Sequence, residues 1–111
     1  MKAVLYYGPG NIKCEETRIK PLEKGEILVH VKAALTCGTD VKTYRRGHPV
    51  LIKNIPSGFG HEFSGIVEKI GEGVTNLKVG DRVVCANSAP CGECFYCRHG
   101  EYNLCENLDL L

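Results

Sequence analysis

The run Cys91-Gly-Glu-Cys94-Phe-Tyr-Cys97, closed by Cys105, constrains this chain more than any other stretch. Four thiols this close together, with turn-forming Gly92 and Gly100 among them, can surround one tetrahedral ion at sulfur distances of roughly 2.3 Å, a geometry zinc accepts from four cysteines. A site closed by four sulfurs holds structure and leaves no position for a reactant. Candidates for chemistry therefore lie elsewhere, at Cys37 and at the pair His61-Glu62.

Other readings of the four cysteines compete. Disulfides are one, but the seven cysteines are odd in number, and the opening MKAVLYYGPG has one Lys and no apolar run long enough for a secretory signal. Both points favour a reducing, cytoplasmic compartment. An iron–sulfur cluster is the main rival, since three cysteines at x2 spacing also open the bacterial ferredoxin pattern; that pattern then wants a fourth Cys after three residues and a Pro, where this chain has a gap of seven and Glu106. A nucleic-acid zinc ribbon would separate two C-x2-C pairs by about 15–20 residues. Spacing favours zinc and leaves a cluster, or unligated thiols, open.

At 111 residues the chain is expected to form one domain, in a size range where a bound metal helps noticeably. The net charge of +1 comes from Lys and Arg interspersed with Asp and Glu, with no basic stripe of the kind that tracks nucleic-acid phosphates. No apolar run approaches the ~18 residues of a membrane span. Neither nucleic acid nor membrane is an expected partner. The 13 glycines favour short strands joined by turns.

Lys2 to Tyr7 reads as a strand stopped at Gly8-Pro9-Gly10-Asn11, and Ile12 to Ile19 as its hairpin partner, with Cys14 a small packed residue. Lys24-Gly25-Glu26 makes a turn before a strand over Ile27 to Leu35, whose His30 falls on the wetter face. Thr36 to Asp40 ends that strand and starts a short helix through Arg46, with Thr39 or Asp40 as N-cap and Gly47 as stop. Cys37 sits at this junction, where a ligating or reactive thiol is useful, although a lone Cys is more often buried filler. A long loop from His48 to Phe59 follows. His61 and Glu62 stand at the entrance of a strand over Ile66 to Gly71; Glu62 could orient the imidazole, and a surface His beside a surface Glu is the plain alternative. Arg82 to Ala86 reads as a strand with Cys85 in the core. Residues 87–107 then form the cysteine lobe, with a helical turn over Glu101 to Leu104.

Taken in order, Cys37-Gly38-Thr39-Asp40, Gly60-His61-Glu62-x2-Gly65-x5-Gly71-x2-Val74, Val79-Gly80-Asp81-Arg82-Val83 and the four-cysteine lobe resemble the zinc-dependent medium-chain alcohol dehydrogenases, nearest the polyol and threonine dehydrogenase branch. The Gly-His-Glu stretch is the specific part. The resemblance implies a mainly β fold, a GroES-like, partly open β-barrel with short helices, and a four-cysteine zinc lobe at 87–107 holding structural zinc through Cys91, Cys94, Cys97 and Cys105. It also implies a second, catalytic zinc on Cys37 and His61, with Glu62 beside it or ligating it, and Thr39 passing on the alcohol proton. The implied reaction is oxidation of a small alcohol or polyol to a carbonyl by hydride transfer to NAD or NADP, in an enzyme that is a homo-oligomer at full length.

Two departures from that pattern matter. Many relatives place a His at position 42 to finish the proton relay; this chain has Lys42, so either the relay ends differently, at His48 or water, or the step is slower. A catalytic zinc takes three protein ligands, the two cysteines and one histidine of alcohol dehydrogenase being one such set. The third, like the dinucleotide-binding fold, is expected beyond residue 111, and Gly71-x-Gly73 lacks the rest of a G-x-G-x-x-G. The chain is therefore expected to be the amino-terminal part of a longer enzyme, inactive alone. A zinc-stapled module that binds a partner without catalysis is the alternative.

Overall fold

A computed structural model describes residues 1–110. The fold is mainly β, in antiparallel pairings throughout the described residues. Strands β1 (Lys2–Gly8) and β2 (Asn11–Glu16) form the opening hairpin; Gly8 and Gly10 take φ of 128° and 73° at its turn, conformations a Cβ would disfavour. Strand β3 (Ile27–Leu35) runs into helix α1 (Gly38–Arg46), which Gly47 ends at φ 78°. After the loop come β4 (Ser57–Gly58), β5 (Glu62–Ile70) and β6 (Arg82–Val84). The lobe contains β7 (Ser88–Ala89), a one-turn helix α2 (Phe95–Arg98), a 3-10 turn (Tyr102–Leu104) and β8 (Asp109–Leu110).

These strands make two three-stranded sheets, ordered β2-β1-β4 and β3-β5-β6, and a ribbon of β7 with β8. Among the described residues the sheets stay open and do not close into a complete barrel. The core is correspondingly small. Tyr6 and Val67 are its most buried side chains, and Tyr6 stacks on Phe59 with ring centroids 6.0 Å apart. The hairpin is tied to the helix by Gly10 N–H donating to Tyr44 O at 2.7 Å. The turn after Val74 is fastened to β5 by two bonds of 2.9 Å, Val67 N–H to Asp81 O and Gly80 N–H to Val67 O.

Several expectations change. Strand β4 lies at the end of the stretch read as loop: Ser57 and Gly58 pair with Tyr6 and Leu5, a two-residue contact too short to leave a periodic signal. Cys14 lies on β2 but is exposed rather than packed, and Cys85 falls just beyond β6, also exposed. Alternation along a strand sets which face a residue occupies, and nothing among the described residues covers that end of the sheet, where Val84 is 80% and Leu35 71% exposed.

The register of β3 on β5 positions the site. Leu35 pairs with Glu62, so the end of one strand meets the start of the other. Cys37, two residues past Leu35, thereby comes beside His61, one residue before Glu62.

Candidate metal centres

Cys37 is itself the N-cap of α1, and neither Thr39 nor Asp40 takes that place. Its Sγ accepts the Thr39 N–H at 3.3 Å, while the Asp40 carboxylate, at the third helical position, accepts the Cys37 N–H at 2.9 Å through Oδ2. This is a capping box with a thiol in place of the usual hydroxyl. It holds the sulfur at the helix start.

The other oxygen of Asp40 faces the imidazole. Oδ1 lies 3.2 Å from His61 Nδ1, with the His61 side chain 11% and that of Asp40 5% exposed. In a neutral imidazole with Nδ1–H donating to Asp40, Nε2 keeps its lone pair, and that nitrogen stands 3.3 Å from Cys37 Sγ. The orienting role that the sequence offered to Glu62 thus falls to Asp40. Glu62 is instead a candidate donor: one ligand atom each from Cys37, His61 and Glu62 lie within 4.8 Å of one another. Cys37, His61 and Glu62, all named by the sequence, are thus near enough to share one ion. For zinc bonds of about 2.3 Å to sulfur and 2.0–2.1 Å to nitrogen, tetrahedral geometry separates the two atoms by roughly 3.5 Å, close to the observed pair. His61 and Glu62 line a groove of about 490 Å³ walled also by Leu35, Phe63, Val84 and Cys85.

The remaining relay candidates are placed but not joined. Thr39 is half-buried in the first turn of α1, two residues from the thiol. His48 is half-buried as well, and its Nδ1 accepts the N–H groups of Val50 and Leu51 at 3.3 and 3.2 Å, so that in the neutral ring Nε2 is the donor.

Cys91, Cys94, Cys97 and Cys105 form the second group, again with ligand atoms within 4.8 Å of one another. The 4.0 Å between the sulfurs of Cys91 and Cys97 matches the roughly 3.8 Å edge of a tetrahedron with 2.3 Å bonds. No described cysteine is in a disulfide. Backbone N–H groups point at three of the sulfurs: that of Cys94 at Cys91, of Cys97 at Cys94 and of Cys91 at Cys105. Donation from the backbone at Glu93 and Cys94 brings the Cys91 thiol down to about 6, and donation from Cys97 lowers Cys94. Burial does the opposite to Cys97, pushed up to about 12. Two thiols shifted toward the thiolate form and two buried sulfurs fit a cation able to bind them all. The β7–β8 ribbon, pairing Ser88 with Leu110 and Ala89 with Asp109, closes the lobe at its base.

Residues 23–111 match the family described as the alcohol dehydrogenase GroES-like domain, and the chain belongs to that family. Among curated proteins it is 39% identical to a sorbitol dehydrogenase of Halalkalibacterium halodurans over 96% of this chain and 31% of that protein. It is 39% identical to the starvation-sensing protein RspB of Escherichia coli K12 over 100% of this chain and 32% of that protein. Among solved structures, galactitol-1-phosphate dehydrogenase from Escherichia coli superposes with a TM-score of 0.87 at 30% identity, covering 100% of this chain and 32% of that one. RspB from E. coli CFT073, complexed with NADH, does so at 0.84 and 38%, with the same coverage. The chain spans about a third of the length of the relatives it matches.

Proposed function

We propose that this chain is the alcohol-binding and metal-binding part of a zinc-dependent, NAD(P)-linked alcohol or polyol dehydrogenase that works in the cytoplasm as a homo-oligomer. The observation that carries the reading is the convergence of Cys37, His61 and Glu62 on one point, with His61 held from behind by a buried carboxylate. Sorbitol and galactitol-1-phosphate dehydrogenases among the relatives, and NADH in the RspB complex, support the substrate class and the cofactor.

Cys37, His61 and Glu62 would hold the catalytic zinc, and Cys91, Cys94, Cys97 and Cys105 the structural one in the lobe at 87–107. A zinc ion in the first site supplies positive charge that makes a substrate hydroxyl more acidic. Thr39, two residues from the thiol, has a hydroxyl that both accepts and donates, so it can take the substrate proton and pass it on. Water receives it next: His48 Nδ1 accepts two backbone N–H groups, so in the neutral ring Nε2 carries the hydrogen and has no lone pair for the proton, and the ammonium of a lysine such as Lys42 has none either. The carbon of the alcohol gives its hydride to the nicotinamide, so two electrons and one proton leave by that route and the hydroxyl proton leaves through Thr39.

The test is NAD(P) reduction by the purified full-length protein across a panel of polyols. Turnover that falls ~100-fold in Thr39→Val, with zinc content unchanged, supports the assignment. Zinc-loaded protein that reduces neither cofactor with any polyol favours the alternative, a metal-stapled binding module.

A further inference from the structure

The +1 net charge conceals a separation of charge along the chain. From Val41 to His61 there are four cations (Lys42, Arg45, Arg46 and Lys53) and no acid, whereas from Asn87 to Leu110 there are four acids (Glu93, Glu101, Glu106 and Asp109) and one cation, Arg98. The other residues, 1–40 and 62–86, hold nine cations and nine acids, so the imbalance lies wholly in these two stretches. The four cations and the four acids are all exposed. Among the described residues none of them has an oppositely charged partner except Lys53 and Asp109, which stand 4.0 Å apart. Like charges gathered on a surface repel one another until an opposite charge answers them.

Each of the two stretches also shows apolar surface. On the basic one, Val50 and Ile55 are more than half exposed, and Val41 and Tyr44 of α1 are exposed beside Lys42 and Arg45. On the acidic one, Phe95, Tyr102 and Leu104 are more than half exposed. The acidic stretch is a packed unit: α2 contacts the 3-10 turn, Glu101 N–H donates to Tyr96 O at 2.9 Å, and the Phe95 ring lies edge-on to Tyr96 and against His99, with centroids 5.5 and 4.3 Å away. Exposed aromatic and aliphatic side chains set among charges make up the centre and rim of a protein–protein contact. The Lys53–Asp109 contact shows that the two surfaces adjoin. Surfaces of opposite charge that adjoin on one molecule suit a two-fold axis: a half turn about the line between them sets the basic surface of each copy on the acidic surface of the other, and every contact is made twice.

We propose that these two surfaces are complementary halves of an interface between copies of this chain, the four-cysteine lobe of one copy docking on α1 and the following loop of a second. Phe95, Tyr102 and Leu104 supply the apolar centre, and the charges around them fix the register. The assignment rests on the homo-oligomer reading above and names the surface through which the copies meet. It also gives Lys42 a use outside the proton path, and gives the lobe a task at the subunit contact.

The experiment is sedimentation velocity of the zinc-loaded, full-length protein carrying charge reversals. Lys42→Glu with Arg46→Glu, and separately Glu101→Lys with Glu106→Lys, are each expected to weaken assembly by about 10-fold or more in dissociation constant. The four changes combined are expected to restore it to within about 3-fold of the unaltered protein, because the attraction returns with its sign exchanged. Lys69→Glu with Lys78→Glu, in the balanced remainder of the chain, should leave assembly as it was. A second measurement needs no variant: carbodiimide coupling in a mixture of copies made with ordinary and heavy nitrogen should join Lys42 or Lys53 of one copy to Glu93, Glu101 or Glu106 of another. An oligomer untouched by either reversal, a combined variant no better assembled than the two doubles, or cross-links between copies that avoid these residues overturns the proposal and leaves the homo-oligomer reading in place. A monomer in the unaltered protein refutes both.

Discussion

Asp40 and His61 form the most enclosed carboxylate–imidazole or carboxylate–ammonium contact among the described residues: Oδ1 stands 3.2 Å from Nδ1 between side chains 5% and 11% exposed. The same carboxylate accepts the Cys37 N–H, so one residue fixes both the thiol and the imidazole. The placement of Cys37 beside His61 is therefore built into the start of a helix rather than left to two independent side chains.

Asp40→Asn separates those duties. The amide oxygen can still accept the Cys37 N–H, so unfolding stability should change by less than about 1 kcal/mol. The imidazole loses its charged partner, and affinity at the Cys37–His61 centre should fall about 10- to 100-fold, read by competition with a chromophoric chelator, while the four-cysteine lobe keeps its metal.

The lobe should respond locally. Metal binding by zinc-finger peptides is worth roughly 10–16 kcal/mol, much of it consumed in ordering the binding loop. Cys94→Ser should loosen residues 87–107 while β3 and β5 keep their amide protection, as measured by hydrogen exchange. Uniform loss across all the strands would contradict a separate lobe.

In metal-free protein the thiols should react in a fixed order. Cys91, held down to about 6 by backbone donors, is mostly thiolate at pH 7, whereas Cys97, raised by burial to about 12, is protonated and enclosed. Brief alkylation with iodoacetamide should label Cys91 well before Cys97. With its folded value at about 6, the Cys91 thiolate is largely formed at pH 7 and is lost as the pH falls through about 6, and labelling at Cys91 should fall with it.

Gly65 is a packing requirement of β5. A Cβ there would meet the His30 carbonyl oxygen and, at 2.6 Å, Val29 Cγ1 on β3. Gly65→Ala should cost about 1–3 kcal/mol or more, measured by urea unfolding, because the obstruction is mostly backbone. An unchanged midpoint would show that β3 and β5 are not registered as described.

What the sequence disclosed depended on range. The four cysteines were legible because their ligand geometry is set by local spacing, and His61-Glu62 because the two residues are adjacent. Asp40 was legible only as a helix-start residue: its second role requires β3 and β5 to pair so that His61 arrives beside α1, and no local pattern encodes that. Glu62 reads as a possible orienting group because the position of Asp40 behind His61 is not visible in the sequence. Cys85 was misplaced for the complementary reason, since alternation along β6 says which face a residue is on and not whether that face is covered.

The account depends most on there being two separate metal sites, and zinc content measures that directly. Full-length protein purified in zinc should carry two ions per chain, and Cys37→Ser should carry one, with the lobe still loaded. One ion in both proteins, or two in both, would contradict the assignment of Cys37, His61 and Glu62 to a metal centre.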